Sequence, residues 1–380
     1  MPSSSNRLVF VLLLTCALHG VMPAQGPQPA ARRLTGPSCG ACRIDLKLVG
    51  ELDGGEKGAD LSNGALRVVR SGSGELFAAG WSGEVYRFGP TGKYLGLLGR
   101  KGEGPGEFKA PNAISLDRQG NLHFLDPAIA RHSVFSAAGK YLSASRYPPE
   151  FVAREFYVTP DGEIVVAATI RLANAIGFPM HRTSNGQIAA SFGPEVPIRP
   201  GTSDEAVRYA LGTARGGGFW AVKMTSLELE LRRDDGALVR ALTATRPWLP
   251  VTNRLGPVGP TQPLPPRISG VVERDDGLVV LYGKVAGPNW EQAWGPPAPN
   301  PIKGPNVPLM VRKLINPDLA YDTFILVVDP VRNVILSERR FDQNVVEFVD
   351  SRHVLTRSTI DDEAVLKVWE VVFTQPGGTR

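Results

Sequence analysis

Few residues in this chain are of the types that do chemistry, and their spacing narrows what they could do. Past an apolar N-terminal segment, two cysteines remain, Cys39 and Cys42 in "SCGAC". A C-x-x-C pair can hold metal, attach haem, exchange electrons or close a local disulfide. Haem attachment needs a histidine next, and Arg43 stands there; zinc needs two further ligands, and no Cys or His lies near. Redox work needs a helix N-terminus to lower the thiol pKa, whereas the following "RIDLKLVGEL" alternates like a strand. A structural Cys39–Cys42 disulfide in an oxidising compartment is the expectation.

The glycine-rich "GRKGEGPGEF" (99–108) raises a second possibility, a loop that cradles phosphate. Such a loop lies between a strand and a helix, so that the helix N-terminus faces the anion. Here "KAPNAISLDRQG" follows, a proline and then an alternating strand, and Glu103 and Glu107 would repel phosphate. The stretch reads as a connector, with Phe108 packing between the units it joins.

What must position any site is a repeat. "LRVVRSGSGELFAAGWSGEVYRFGPTGKYLGLLG" from Leu66 aligns with "NAISLDRQGNLHFLDPAIARHSVFSAAGKYLSASR" from Asn112, each with strands separated by Gly turns and ending on "GKYL". Gly74 to Gly120 is 46 residues and Gly92 to Gly139 is 47. Fainter units follow at 155–193, 208–242, 268–339 and 344–373, the last lacking a fourth strand. "RIDLKLVGEL" (Arg43–Leu52) has the pattern to supply it and close the ring. Units of four short antiparallel strands every 40 to 50 residues predict an all-β, six-bladed β-propeller. No sustained helical periodicity competes.

"GEGPGEFKAPNAISLDRQGNLHFLD" resembles the NHL repeat, carried by Phe108, Pro111, Asp117, Gly120, Asn121 and Asp126. The whole chain also resembles exported bacterial six-bladed propellers of unassigned function. The resemblance implies the fold more than an activity, because propellers host many chemistries. Enzymes of similar architecture include gluconolactonase-like hydrolases and streptogramin-type lyases, which work at the central channel with a divalent metal or a His–carboxylate pair.

On such a ring the inner strands line the channel. His123 and His353 fall in second strands, His132 in a second-to-third turn and His181 in a third strand, so a three-His zinc centre is not expected. Asp117, Asp161, Asp234, Asp235, Asp275 and Asp276 sit at turn corners, where they supply hydrogen bonds to the backbone. No D-x-D-x-D-G segment suggests a Ca2+ loop. No cofactor is predicted, Ca2+ being the one ion left open. Glu155 and Glu347 are the carboxylates expected near inner strands. The strand starts carry Arg67, Arg154, Arg208 and Arg267, with Asn112 and Asn344 in the remaining two blades. Inward guanidinium groups would form a funnel for carboxylate, sulfate or phosphate.

A proline-rich insertion, 284–322, splits the fifth unit and carries Trp290 and Trp294. A loop of that length suggests a lid whose aromatics stack on a ligand, or a flap that packs on the blades. A second proline-rich stretch, 247–266, reads as a connector.

Arg7, the apolar run Leu8–Leu18 and Ala24 before Gln25 form the pattern of a secretory signal, cleaved near Ala24, and the run is short for a membrane span. The expected organisation is a signal peptide at 1–24, a linker with the C-x-x-C at 25–42 and a propeller at 43–375. The net charge of +5 is too small, and the basic residues too dispersed, to predict nucleic-acid binding. The expected function is an exported, monomeric binding or interaction module in the periplasm or outside the cell. Its ligand, an unidentified protein, a glycan or a small anion, would sit in the channel or on the Trp/Pro flap. The alternatives are a channel-centred hydrolase or lyase and a carbohydrate-binding scaffold.

Overall fold

A computed structural model describes residues 28–376, apart from 55–57, 62–66, 81, 147–154, 169–175, 198–207, 251–261, 301–309 and 361–362. The signal segment and Arg154 lie outside the described residues.

The backbone forms six four-stranded antiparallel sheets arranged as the blades of a ring. Counted from the channel outward, blade one is Arg67–Arg70, Leu76–Ala79, Val85–Phe88 and Tyr94–Leu97. Blade two runs from Ala113–Leu116 to Tyr141–Arg146, blade three from Phe156–Val158 to Gln187–Phe192, and blade four from Tyr209–Thr213 to Leu238–Ala244. Blade five runs from Arg267–Glu273 to Val334–Phe341. Blade six takes its first three strands, Val345–Phe348, His353–Ile360 and Glu363–Thr374, from the C-terminal end. Its outermost strand is Arg43–Glu51, antiparallel to Glu363–Thr374, so the ring closes with the N-terminal strand.

Tight turns make this cadence possible. Gly74, Gly92, Gly120 and Gly139, the residues that reveal the repeat, have φ of 87°, 97°, 80° and 79°. Backbone there is left-handed, where a Cβ is strained, so the turns that space the strands select glycine.

Each seam between adjacent blades holds its own apolar core. Phe108 is fully buried between Phe77 and Val85 of blade one and Phe124 and Phe135 of blade two. Equivalent clusters join blades two and three, three and four, four and five, five and six, and six and one. The glycine-rich stretch is therefore the blade-one to blade-two seam, as its composition implies.

The N-terminal segment does more than close the ring. Arg32–Arg33 pairs in parallel with the outer strand of blade four. Leu34 enters the core between blades four and five. Ser38 and Cys39 then donate backbone hydrogen bonds to Ile335 and Leu336 of blade five's outer strand before the chain enters blade six. Cys39 and Cys42 are joined by a disulfide at this crossing. One segment thus straps the outer edges of three consecutive blades.

Two boundaries differ from expectation. His132 lies within the third strand of blade two, Arg131–Phe135, because the preceding turn is shorter than the sequence suggested. The fifth-blade insertion is shorter too: the second strand runs to Ala286 and the third restarts at Tyr321, so Lys284 and Asp322 are strand residues. No helix among the described residues is long and apolar enough to cross a membrane.

Candidate functional site at the central channel

The antiparallel order gives the ring two unlike faces. Inner strands begin on the connector face, where the outer strands of the preceding blades end and where the second and third strands of blade five break at Ala286 and Tyr321; among the described residues the opposite face carries mostly short turns. Polar side chains at the starts of the inner strands consequently gather at the connector face. The central cavity, ≈ 240 Å3, is lined from all six blades, by Arg67, Leu116, Leu211, Glu273 and Glu347 of inner strands and by Glu155 just ahead of one, among others.

Neighbouring inner strands are not paired with one another, which leaves backbone N–H groups to be satisfied at the seams. Carboxylates do this. Glu347 accepts from the Val68 N–H at 2.8 Å and approaches the Arg67 guanidinium at 3.5 Å, tying blade six to blade one. Glu155 accepts from the Leu211 N–H at 3.1 Å, tying blade three to blade four. Glu273 accepts from Trp220 Nε1 at 2.7 Å and the Arg215 N–H at 3.2 Å, tying blade five to blade four. Asp350 also reaches the cavity, held by Arg352, His353 and Arg70. Glu273 and Asp350 were not singled out from sequence: their "VVERDDG" and "FVDSRH" contexts read as strand end and turn.

Burial dominates the electrostatics. It pushes Glu347 up to about 7, against the pull of Arg67 and the Val68 N–H, and the charge of Glu155 adds to the rise. Tyr282, which lines the cavity and donates to the Val346 carbonyl at 2.7 Å, is raised by burial as well. Lys284, two residues further along the same strand, donates to Asn344 Oδ1 at 2.8 Å. Burial, then the charges of Arg267 and Arg67, push it well below the ordinary lysine value. The Arg267 guanidinium lies 5.1 Å from the centre of the Tyr321 ring and the Lys284 amine 5.2 Å.

The expected residues separate accordingly. Arg67, Glu155 and Glu347 line the cavity; Arg267, Lys284 and Asn344 do not, but Arg267 starts the inner strand two residues before the lining residue Ser269, and its cross-strand partner Lys284 bonds Asn344. Arg208 is half-buried just ahead of blade four's inner strand. Asn112 is buried ahead of blade two's inner strand, and neither its amide nitrogen nor its amide oxygen has a hydrogen-bond partner among the described residues. The two tryptophans are not in the channel lining. Trp294 packs against Ala293 and Ala320 of the flap and Leu264 of the preceding connector in a small core. Trp290 begins a short 3-10 turn and is half-buried. Among the described residues no group of three or more His, Cys, Asp and Glu side chains is placed to hold a metal ion.

His123 and His132 serve packing away from the channel, whereas His353 Nδ1 lies 2.8 Å from the cavity-lining Asp350 carboxylate. Asp117 Oδ2, His123 and His132 form a buried chain, with 3.2 Å from the carboxylate to His123 Nε2 and 2.8 Å between His123 Nδ1 and His132 Nε2. Burial lowers both imidazoles, His132 to about 3.

Solved structures are similar to this chain over most of its length. A member of the DUF4221 family from Bacteroides vulgatus matches 87% of this chain and 99% of its own at 11% identity, with a TM-score of 0.58. A Bacteroides fragilis protein assigned as exported matches 90% and 99% at 12% identity, with a TM-score of 0.47. Virginiamycin B lyase from Staphylococcus aureus matches 86% and 99% at 11% identity, with a TM-score of 0.40. No protein-family model and no curated protein matches the sequence. This chain is a six-bladed β-propeller. Identity this low speaks for the ring alone, and no activity passes from those proteins to this one.

Proposed function

We propose that the protein is an exported, monomeric binding module whose central channel takes a small ligand at its connector-face end. The observation that carries this is the convergence of Arg67, Glu155, Glu347 and Tyr282 on one cavity. Perturbed ionisable groups gathered in a cleft mark functional sites more often than structural ones. The seam contacts of Glu155 and Glu347 account for their backbone partners, but not for the cluster of cationic groups beside them. Export is supported by the signal-like N-terminus and by the Cys39–Cys42 disulfide, which suits an oxidising compartment.

The test is a thermal-shift screen of small carboxylates, phosphates and sugars, followed by calorimetry on the hits. A ligand at about 100 times its Kd stabilises a fold by about 2.7 kcal/mol. The Arg67→Gln, Glu347→Gln double variant should lose that response. A ligand that binds this variant as tightly as the parent would place binding elsewhere, and Trp290→Ala would then address the flap and the glycan reading.

A second reading, a channel-centred hydrolase or lyase, is favoured by one feature: a carboxyl at about 7 beside a guanidinium is suited to exchange protons near neutrality. Stoichiometric Ca2+ or Zn2+ in the purified protein would favour it.

A further inference from the structure

Lys284 is the one buried lysine among the described residues, 8% exposed. Its Nζ makes a single hydrogen bond, to the Asn344 side-chain oxygen, and no carboxylate pairs with it among the described residues. Its cross-strand partner is Arg267, and both cationic groups face the Tyr321 ring. Tyr282, on the same face of the strand, lines the channel. A lysine kept only to tie blade five to blade six would not need a basic nitrogen. The neighbouring Tyr282 hydroxyl makes the same kind of tie, to Val346, with a neutral donor.

An ammonium left without a counter-ion in such a place is costly. Burial and two guanidinium groups favour the free amine instead, and a lysine desolvated beside another cation is an activated nucleophile. We propose that Lys284 is a nucleophilic amine at the channel's connector-face end that captures a small aldehyde or ketone carrying a carboxylate, a 2-oxo acid being the simplest fit. The amine lone pair adds to the carbonyl carbon to give a carbinolamine. Loss of the former carbonyl oxygen as water, with two protons from nitrogen and solvent redistributed, leaves a C=N bond to Nζ; no electrons are exchanged with a further reagent. Arg267 and Arg67 supply the charge that attracts the carboxylate. This inference rests on the channel being the ligand site.

The experiment is reductive trapping of the full chain with pyruvate and cyanoborohydride near pH 7.5, followed by peptide mapping. Lysines of ordinary pKa are almost wholly protonated there, so Lys284 should be modified about tenfold or more faster than exposed Lys47, Lys93 and Lys140. Lactate, which has the carboxylate but no carbonyl, should slow that modification without forming an adduct. Lys284→Met should abolish the fast site and leave the slow ones unchanged. Modification of Lys284 no faster than of the exposed lysines overturns the proposal. Lactate binding measured by calorimetry, lost in Arg67→Gln, reports separately on the channel, so a failed imine and a failed channel site give different results.

Discussion

The Arg67 guanidinium stands 3.5 Å from Glu347 across the seam where the last blade meets the first, and the Val68 N–H donates to the same carboxylate at 2.8 Å. The two residues are 280 apart in sequence, yet they hold the ring's closing seam at its inner edge, as Arg43–Glu51 holds it at the outer edge.

The pH dependence of that pair has a definite sign. Glu347 binds its proton more tightly in the folded chain, near 7, than at its ordinary value of 4.5. Its contribution is therefore greatest below pH 4.5 and is lost as pH rises toward about 7. Glu347→Gln keeps an acceptor for Val68 and should remove that slope from urea midpoints measured between pH 5 and 8. Arg67→Met, which strands the carboxylate, should cost about 3 kcal/mol at pH 8 and less at pH 5.

His132 acts in the opposite direction. Its folded value of about 3 lies far below the ordinary 6.5, so the unfolded chain takes up a proton that the folded chain refuses. The contribution is complete above pH 6.5 and declines as pH falls toward 3, by at most about 1.4 kcal/mol per pH unit. His132→Gln should start lower at pH 7 but lose less on acidification to pH 4.5 in the same urea assay.

Phe108 carries the seam that the glycine-rich stretch makes. Its ring centre lies 4.9 Å from that of Phe124 and 5.4 Å from that of Phe135, with no exposed surface. Phe108→Ala should cost about 3–5 kcal/mol in chemical denaturation. A loss below about 1 kcal/mol would show that the seam refills.

Reducing the Cys39–Cys42 disulfide should lower stability by about 2 kcal/mol, since it closes a short loop. Because the strap spans blades four to six, limited proteolysis after reduction should cut first between residues 28 and 42, leaving the ring intact. Cleavage within blades one to three at the same rate would count against a strap.

The sequence determined the ring because the information for a blade is local. Left-handed glycines at Gly74, Gly92, Gly120 and Gly139 recur in step with alternating strands, and four such strands make one blade whatever lies beside it. The same local logic placed Arg43–Leu52 as the missing strand, found at Arg43–Glu51, and Phe108 at a seam. What the tertiary structure decided lies between blades. The strap's run along blade five, the Glu347 contact with Val68, and the Lys284 bond to Asn344 join residues 60 to almost 300 positions apart. No periodicity encodes such pairs, and strands read one at a time show Lys284 only as a residue at the edge of an insertion. Its burial beside Arg267 follows from blade five meeting blade six, which depends on six seams closing together.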